Sequence, residues 1–324
     1  MPRYEKKQIE TTAKNQGFTR DAYEKVIRLI DILHFISADK DLRHNLALKG
    51  GTAINLTMFA LPRLSVDLDF DFSKNIPREI MLEKRDEISI ILSRYLILEG
   101  YILSPKSKTA HSLDSFVYSY LTSGGSNDNI KIEINYSLRS HILPICEMPV
   151  SIPIDDAGFS LRMLSPVEIF ASKTVAYMSR GAARDLFDLY GMISENILAG
   201  DDLVLFRKCI AFYSAISGNN PITSNAELVF PIISPQTIKT DLNPMLRISE
   251  YFNAEEANKS VSEWLNKILT LNDDEIRFGV EFSKGKYKPE LLFDNIEILS
   301  RIQTHPMAIW RTNRIRDAIE KTER

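Results

Sequence analysis

The chain has 324 residues, 44% of them hydrophobic and 26% charged, enough to bury a large core and to make two domains. Its 43 acidic residues outnumber its 40 lysines and arginines, for a net charge of −3; a generally basic, polyanion-coating protein is excluded, and any nucleic-acid surface must be local. Two distant cysteines, Cys146 and Cys209, fit no metal-ligand spacing, the N-terminus has no apolar signal core, and no apolar run reaches the ~18–20 residues of a membrane span, so a cytoplasmic protein with free thiols and no membrane partner is expected.

In chain order, residues 1–17 are polar and weakly helical, and residues 18–36 space Tyr23, Val26, Ile27, Ile30, Ile32, Leu33 and Ile36 as a helix does. A short element over 42–48 leads to the glycine pair Gly50-Gly51, then a helix over 52–61 closed by Pro62, then a strand over 63–72. Pro77 opens a helix to about Glu99, ended by Gly100. Strands are expected over 101–104, 115–121 and 130–136, the last two joined by a loop at 123–129, with a further extended segment over 142–154. This predicts a mixed sheet of four or five strands with helices packed on it, an α+β or α/β domain over 1–160. Beyond it, Ser165-Pro166 starts a helix to about 179, Gly181 breaks it, and helices are expected over 183–197, 201–217, 244–253, 255–271, 287–303 and 306–321, with loops at 219–221 and 234–235. Residues 161–324 therefore read as a mainly helical second domain. Its last 24 residues hold six basic against three acidic side chains, with Arg311, Arg314 and Arg316 as candidate phosphate contacts.

The chemistry concentrates in residues 48–72. In Asp67-Leu68-Asp69-Phe70-Asp71, acidic and apolar residues alternate, so on a strand the aspartates share one face and Leu68, Phe70 and Phe72 the other. Carboxylates crowded on one face are costly unless a cation neutralises them, and Mg²⁺ takes one or two carboxylates together with substrate phosphates. Glu133, on the polar face of a second strand, is the natural third carboxylate. Lys49-Gly50-Gly51-Thr52 opens a helix whose N–H groups suit a phosphate, and Ser65 shares the face of Asp67 if the strand begins there. The spacing is not that of a P-loop. Lys173 and Arg180 lie seven residues apart on one helix face, followed by Arg184, Asp185 and Asp188; this group suits a triphosphate or a set of surface ion pairs.

Lys-Gly-Gly-Thr at 49–52, Ser-x-Asp-Leu-Asp-Phe-Asp at 65–71, Lys-Ile-Glu-Ile at 131–134, and Lys173 followed by Arg-Asp-Leu-Phe-Asp-Leu at 184–189 together resemble the AbiEii/AbiGii toxin family of nucleotidyltransferases, which has the DNA polymerase β-like nucleotidyltransferase fold. The resemblance spans about residues 45–195. It implies the toxin half of a toxin–antitoxin or abortive phage-defence system, with an antitoxin encoded nearby, that adds a nucleotide from an NTP to the 3′ end of tRNA and blocks translation. By motif position, Lys49, Gly50, Gly51, Thr52 and Ser65 would lie at the nucleotide. Asp67, Asp69 and Glu133 would hold two Mg²⁺ ions, Lys173 with Arg180 and Arg184 would meet the triphosphate, and Asp185 or Asp188 would be the late acidic residue. The usual Gly-Ser of the wider superfamily is Gly51-Thr52 here, which keeps the hydroxyl. Two alternatives remain open: transfer to a protein or a small molecule, and a non-catalytic nucleotide-binding protein of the same fold.

Overall fold

The structure, a computed structural model, describes residues 5–59, 61–151, 158–217, 221–226, 228–248 and 250–322. Expected features at residues 1–4, 60, 152–154, 219–220 and 323–324 lie outside these residues. The chain forms two compact units. The first comprises residues 1–139, 145–164 and 244–251; the second comprises 140–144, 165–243 and 252–324.

The first unit is built on an eight-stranded mixed sheet. Its strands are β1 (Leu46–Lys49), β2 (Asp67–Phe72), β3 (Ile102–Leu103), β4 (Lys108–Thr109), β5 (Leu113–Leu121), β6 (Asn127–Asn135), β7 (Cys146–Pro149) and β8 (Ser160–Met163). Their order is β3-β5-β6-β2-β1-β8-β7, with β4 paired to β5, so the acidic strand β2 is the middle of the sheet. Its helices are α1 (Lys6–Gln16), α2 (Arg20–Ala38), α3 (Lys40–Asn45), α4 (Gly50–Thr57) and α5 (Arg78–Leu98). Leu68, Phe70 and Phe72 are buried on the apolar face beside Leu48, Ile132 and Ile134 of the neighbouring strands. Helix α2 presents Tyr23, Val26, Leu29, Leu33 and Ile36 to the core, at helical spacing. It stacks Phe35 on Tyr95 of α5, with ring centroids 3.8 Å apart.

The second unit contains α6 (Pro166–Arg180), α7 (Ala183–Ser194), α8 (Asp201–Ile216), the single turn α9 (Pro235–Thr237), α10 (Ala254–Ile268), α11 (Asp273–Ser283), α12 (Ile296–Ile302) and α13 (Pro306–Thr322). Helix α8 is its centre: Phe206, Ile210, Phe212, Tyr213 and Ile216 are buried around most of its circumference, as in a helix enclosed by others. At the start of α6, the buried Glu168 carboxylate accepts from the backbone N–H groups of Ile142 and Leu143 and from the Tyr213 hydroxyl, which secures the segment 140–144 to this unit.

Several expectations are corrected. Eight strands replace four or five, because β1, β4 and β8 have only two to four residues and carry no readable period, whereas β7 falls in the extended segment expected over 142–154. Strand β2 begins at Asp67, so Ser65 precedes it. Among the described residues of 244–253 there is no α-helix, only the end of a 3₁₀ turn over Asn243–Met245. The Leu64 N–H donates to the Met245 carbonyl and the Ile248 N–H to the Gly17 carbonyl, both at 2.7 Å, so these backbone groups bond across the chain rather than to the next turn. The span 287–303 is divided: Pro289 begins a short 3₁₀ turn, and Asn295 caps a separate α12 by accepting from the N–H groups of Glu297 and Ile298. Helix α11 was not expected, although Asn272 and Glu275 form a capping box at its start. Among the described residues no helix is long and apolar enough to cross a membrane.

Candidate active site

The glycine pair and the acidic strand meet in the first unit. Strand β1 ends at Lys49, and Gly50 turns the chain into α4 with φ +72°, a left-handed conformation that glycine adopts without penalty. A Cβ on Gly50 would stand 2.8 Å from Asp69 Oδ2. A Cβ on Gly51 would stand 2.7 Å from an Arg63 guanidinium nitrogen and 3.1 Å from Ser65 Oγ. Both glycines therefore do more than permit a turn: they let the start of α4 lie against the acidic strand and the segment before it. The Lys49 side chain makes no cap bond to the first turn of α4. The Thr52 hydroxyl is buried, donates to the Asp67 carbonyl and lies 2.9 Å from Ser65 Oγ. It fastens α4 to the base of β2, an assignment of that hydroxyl that the sequence motif alone does not give.

Strand pairing then sets the charges. Asp69 sits opposite Glu133 in the parallel β2–β6 pair and opposite Lys49 in the antiparallel β1–β2 pair, while Asp67 sits opposite Lys131. Residues opposite one another share a sheet face, so Asp67, Asp69 and Glu133 form one acidic patch. Asp71, the third aspartate of the alternation, is buried and pairs with Lys49 Nζ at 2.6 Å. Lys131 Nζ lies 2.9 Å from Glu133 Oε1. Burial raises the Asp69 carboxyl above its usual range; Lys49 works against this, and Asp67 and Glu133 add to it. One lysine is thus committed to Asp71, and the remaining carboxylates hold an excess of negative charge.

That excess fits a divalent cation. Among the described residues no group of three or more His, Cys, Asp or Glu side chains is placed to hold a metal ion. Mg²⁺ does not need such a group, since it keeps several waters and binds one or two carboxylates plus substrate phosphates. Asp67 and Asp69 could supply those one or two carboxylates, and Glu133 stands opposite Asp69 in the β2–β6 register.

The other predicted residues form a separate cluster in the second unit. Gly181, with φ +57°, ends α6 and turns the chain into α7; a Cβ there would stand 2.9 Å from Pro231 Cβ. Lys173 on α6 is buried between two α7 carboxylates, 3.0 Å from Asp185 Oδ1 and 2.8 Å from Asp188 Oδ2. Arg180 grips Asp185 with two nitrogens, at 2.8 and 3.1 Å, while 64% of its side chain is exposed. Burial would raise the Asp185 carboxyl, but Lys173 and Arg180 outweigh it and hold the group below its usual range. Both aspartates are therefore partners of Lys173. Arg184 points into solvent.

Two residues at the first site were not singled out from the sequence. Lys131 was legible, because it alternates onto the face of Glu133. Arg63, buried against Gly51, carried only the weak signal of a lone arginine in the apolar run after Pro62.

A carboxylate pair on the central strand of a mixed sheet, beside a glycine-opened helix, is an arrangement that could take a metal-bound nucleotide. The family model described as nucleotidyl transferase AbiEii toxin, type IV toxin–antitoxin system, matches residues 34–275, and the chain belongs to that family. Among solved structures it is similar to MenT4, a nucleotidyltransferase toxin from Mycobacterium tuberculosis H37Rv, with 17% identity and a TM-score of 0.64 over 93% of this chain and 98% of that one; at this identity the likeness is one of fold. None of the curated proteins matches the chain.

Proposed function

We propose that this nucleotidyltransferase toxin transfers a nucleoside monophosphate from a Mg²⁺-bound NTP to an RNA 3′ hydroxyl, with tRNA as the acceptor, and so blocks translation. The observation that carries this reading is the register that sets Asp67, Asp69 and Glu133 on one sheet face against Gly50. Asp67 and Asp69, with Glu133, would hold the metal, which when bound supplies charge neutralisation at the phosphoryl oxygens. The acceptor oxygen bonds to the α-phosphorus, the bridging bond to the β-phosphate breaks, and pyrophosphate leaves with that electron pair. The acceptor's proton passes to Glu133 or to water. The uncapped first turn of α4 at Gly50-Gly51 would take phosphate oxygens through its N–H groups.

Arg180 is proposed as a phosphate-binding cation through its exposed side chain, and Lys173 as the positioning residue that holds Asp185, which in turn orients Arg180. A cognate antitoxin accompanies a toxin of this family, and a part in phage defence belongs to the same reading.

The test uses each α-labelled NTP in turn with Mg²⁺ and total bacterial RNA, beside an Asp67→Ala, Asp69→Ala variant. Label in a tRNA-sized band with one NTP, lost in the variant, is expected. Label in protein or in a small-molecule fraction would transfer the reading to those acceptors, and nucleotide binding without transfer would leave a binding protein.

A further inference from the structure

The chain as a whole is acidic, so a polyanionic acceptor needs a local basic surface. The second unit has one where α11 gives way to the loop after it. Lys284, Lys286 and Lys288 converge on a single carboxylate, Glu281, at 3.5, 4.0 and 2.9 Å. One carboxylate balances one ammonium, so two positive charges remain. The lysine side chains are 56, 60 and 41% exposed, which leaves their charge open to a ligand.

Helix α13 extends this surface. Gly285 lies in the left-handed region at φ +74°, and a Cβ there would stand 2.5 Å from Arg316 Cγ and 3.0 Å from the Thr312 carbonyl. Arg316 is therefore packed directly on the lysine loop. Its guanidinium donates to the neutral Asn313 side chain, so that contact does not cancel its charge. Only Ala308 and Thr312 of α13 are buried. On its outward side, six residues before Arg316 and so about 9 Å along the helix and about 120° round it, Trp310 is 46% exposed, and the Arg314 guanidinium lies 5.1 Å from its ring centre. Asp317 and Glu320 also lie on this helix, so the positive charge is greatest at the loop and at Arg316.

Lysines that outnumber their carboxylate, an adjoining arginine and an exposed tryptophan flanked by a second arginine suit a nucleic-acid strand: the cations meet phosphates and the ring stacks on a base. We propose that the Lys284–Lys288 loop and the adjoining side of α13 bind the backbone of the RNA acceptor, an inference that rests on the RNA reading above.

The test is fluorescence anisotropy of 5′-labelled tRNA on the whole protein across a salt series, with nucleotide transfer measured in the same preparations. The patch variant is Lys284→Gln, Lys286→Gln, Arg316→Gln, which keeps the Lys288–Glu281 pair. A control, Lys6→Gln, Lys7→Gln, Lys14→Gln, makes the same charge change on α1 in the other unit. The patch variant should bind on the order of tenfold or more weakly at low salt, and the slope of log K against log salt should shrink by about 2, as for three lost phosphate contacts. The control should bind as the wild type does. Trp310→Ala should lose roughly tenfold in affinity with its salt slope unchanged. Equal affinity and slope in the patch variant, an equal loss in the control, or no RNA binding by the wild type would overturn the proposal. RNA binding through the patch without label in RNA would instead remove the acceptor reading and leave the surface standing.

Discussion

The two acidic clusters differ in how their charge is balanced. In the first unit, Asp67, Asp69 and Glu133 share a sheet face with Lys131, while Lys49 is committed to the buried Asp71. In the second, Asp185 and Asp188 have Lys173 between them, and Arg180 holds Asp185 with two bonds. The carboxyl shifts follow the balance: Asp69 is pushed up, chiefly by burial, and Asp185 is held down by its cations despite burial. A site for a metal and a phosphate keeps negative charge in excess before its ligand arrives, whereas a structural pair closes its own charge. The first cluster therefore keeps a negative charge that a cation would neutralise, while the second closes its charge between α6 and α7 and leaves only the exposed Arg180 side chain open to a ligand.

This contrast is broken most strongly at Asp69. Asp67→Asn with Asp69→Asn should lower transfer by at least about a thousandfold, about 4 kcal/mol in the barrier. In EDTA its melting temperature should equal or exceed that of the wild type, because like charges have been removed. A clear loss of stability together with activity would place this pair in the structural class. The next largest effect belongs to the other cluster. Lys173→Met leaves Asp188 without its lysine and should cost about 3–5 kcal/mol in urea unfolding. Adding Asp188→Leu to that variant should recover much of the loss, which an effect on nucleotide binding alone would not produce.

A smaller effect is expected at the join between motif and strand. Gly50→Ala forces a left-handed φ on a residue with a Cβ and drives that atom towards Asp69 Oδ2. The strain should cost about 1–3 kcal/mol, and the displaced carboxylate should weaken Mg²⁺ binding as measured by calorimetry. If metal affinity is kept while stability falls, Gly50 serves the turn alone.

How much of this was legible follows from the period of each segment. The alternation in Asp67–Phe72 and in Ile130–Tyr136 fixes both strands and their polar faces, which is why the three carboxylates could be named together. Parity could not show that Asp71 is buried on Lys49; that depends on the β1–β2 register, and β1 is only four residues long. The partners of Thr52 were hidden for a related reason. A hydroxyl at a helix start suits a ligand and a neighbouring strand equally, and only the close approach permitted by Gly50 and Gly51 decides for Ser65 and Asp67. The helix expected over 244–253 does not form although its apolar spacing is helical, because the Met245 carbonyl and the Ile248 N–H bond to Leu64 and Gly17, more than a hundred residues away in sequence.

The smallest effect is a difference of sign with pH. Asp185 has a folded value below its unfolded one of about 3.9, so between the two the unfolded chain binds more protons and stability falls as pH falls. Its contribution is complete above the unfolded value and is lost as pH drops through the folded one. Asp69, with its folded value raised, behaves oppositely. Without metal its charge penalises the fold at neutral pH, and the penalty is relieved as pH falls through the folded value towards the unfolded one. Unfolding curves in EDTA from neutral pH downwards, compared with Asp69→Asn and Asp185→Asn, should show the two variants departing from the wild type in opposite directions at neutral pH, Asp69→Asn more stable and Asp185→Asn less. Each difference should shrink on acidification at no more than about 1.4 kcal/mol per pH unit, that of Asp69→Asn first. If both variants are destabilised at neutral pH, the Asp69 carboxylate is neutralised within the fold, and the excess charge that separates the two clusters is absent.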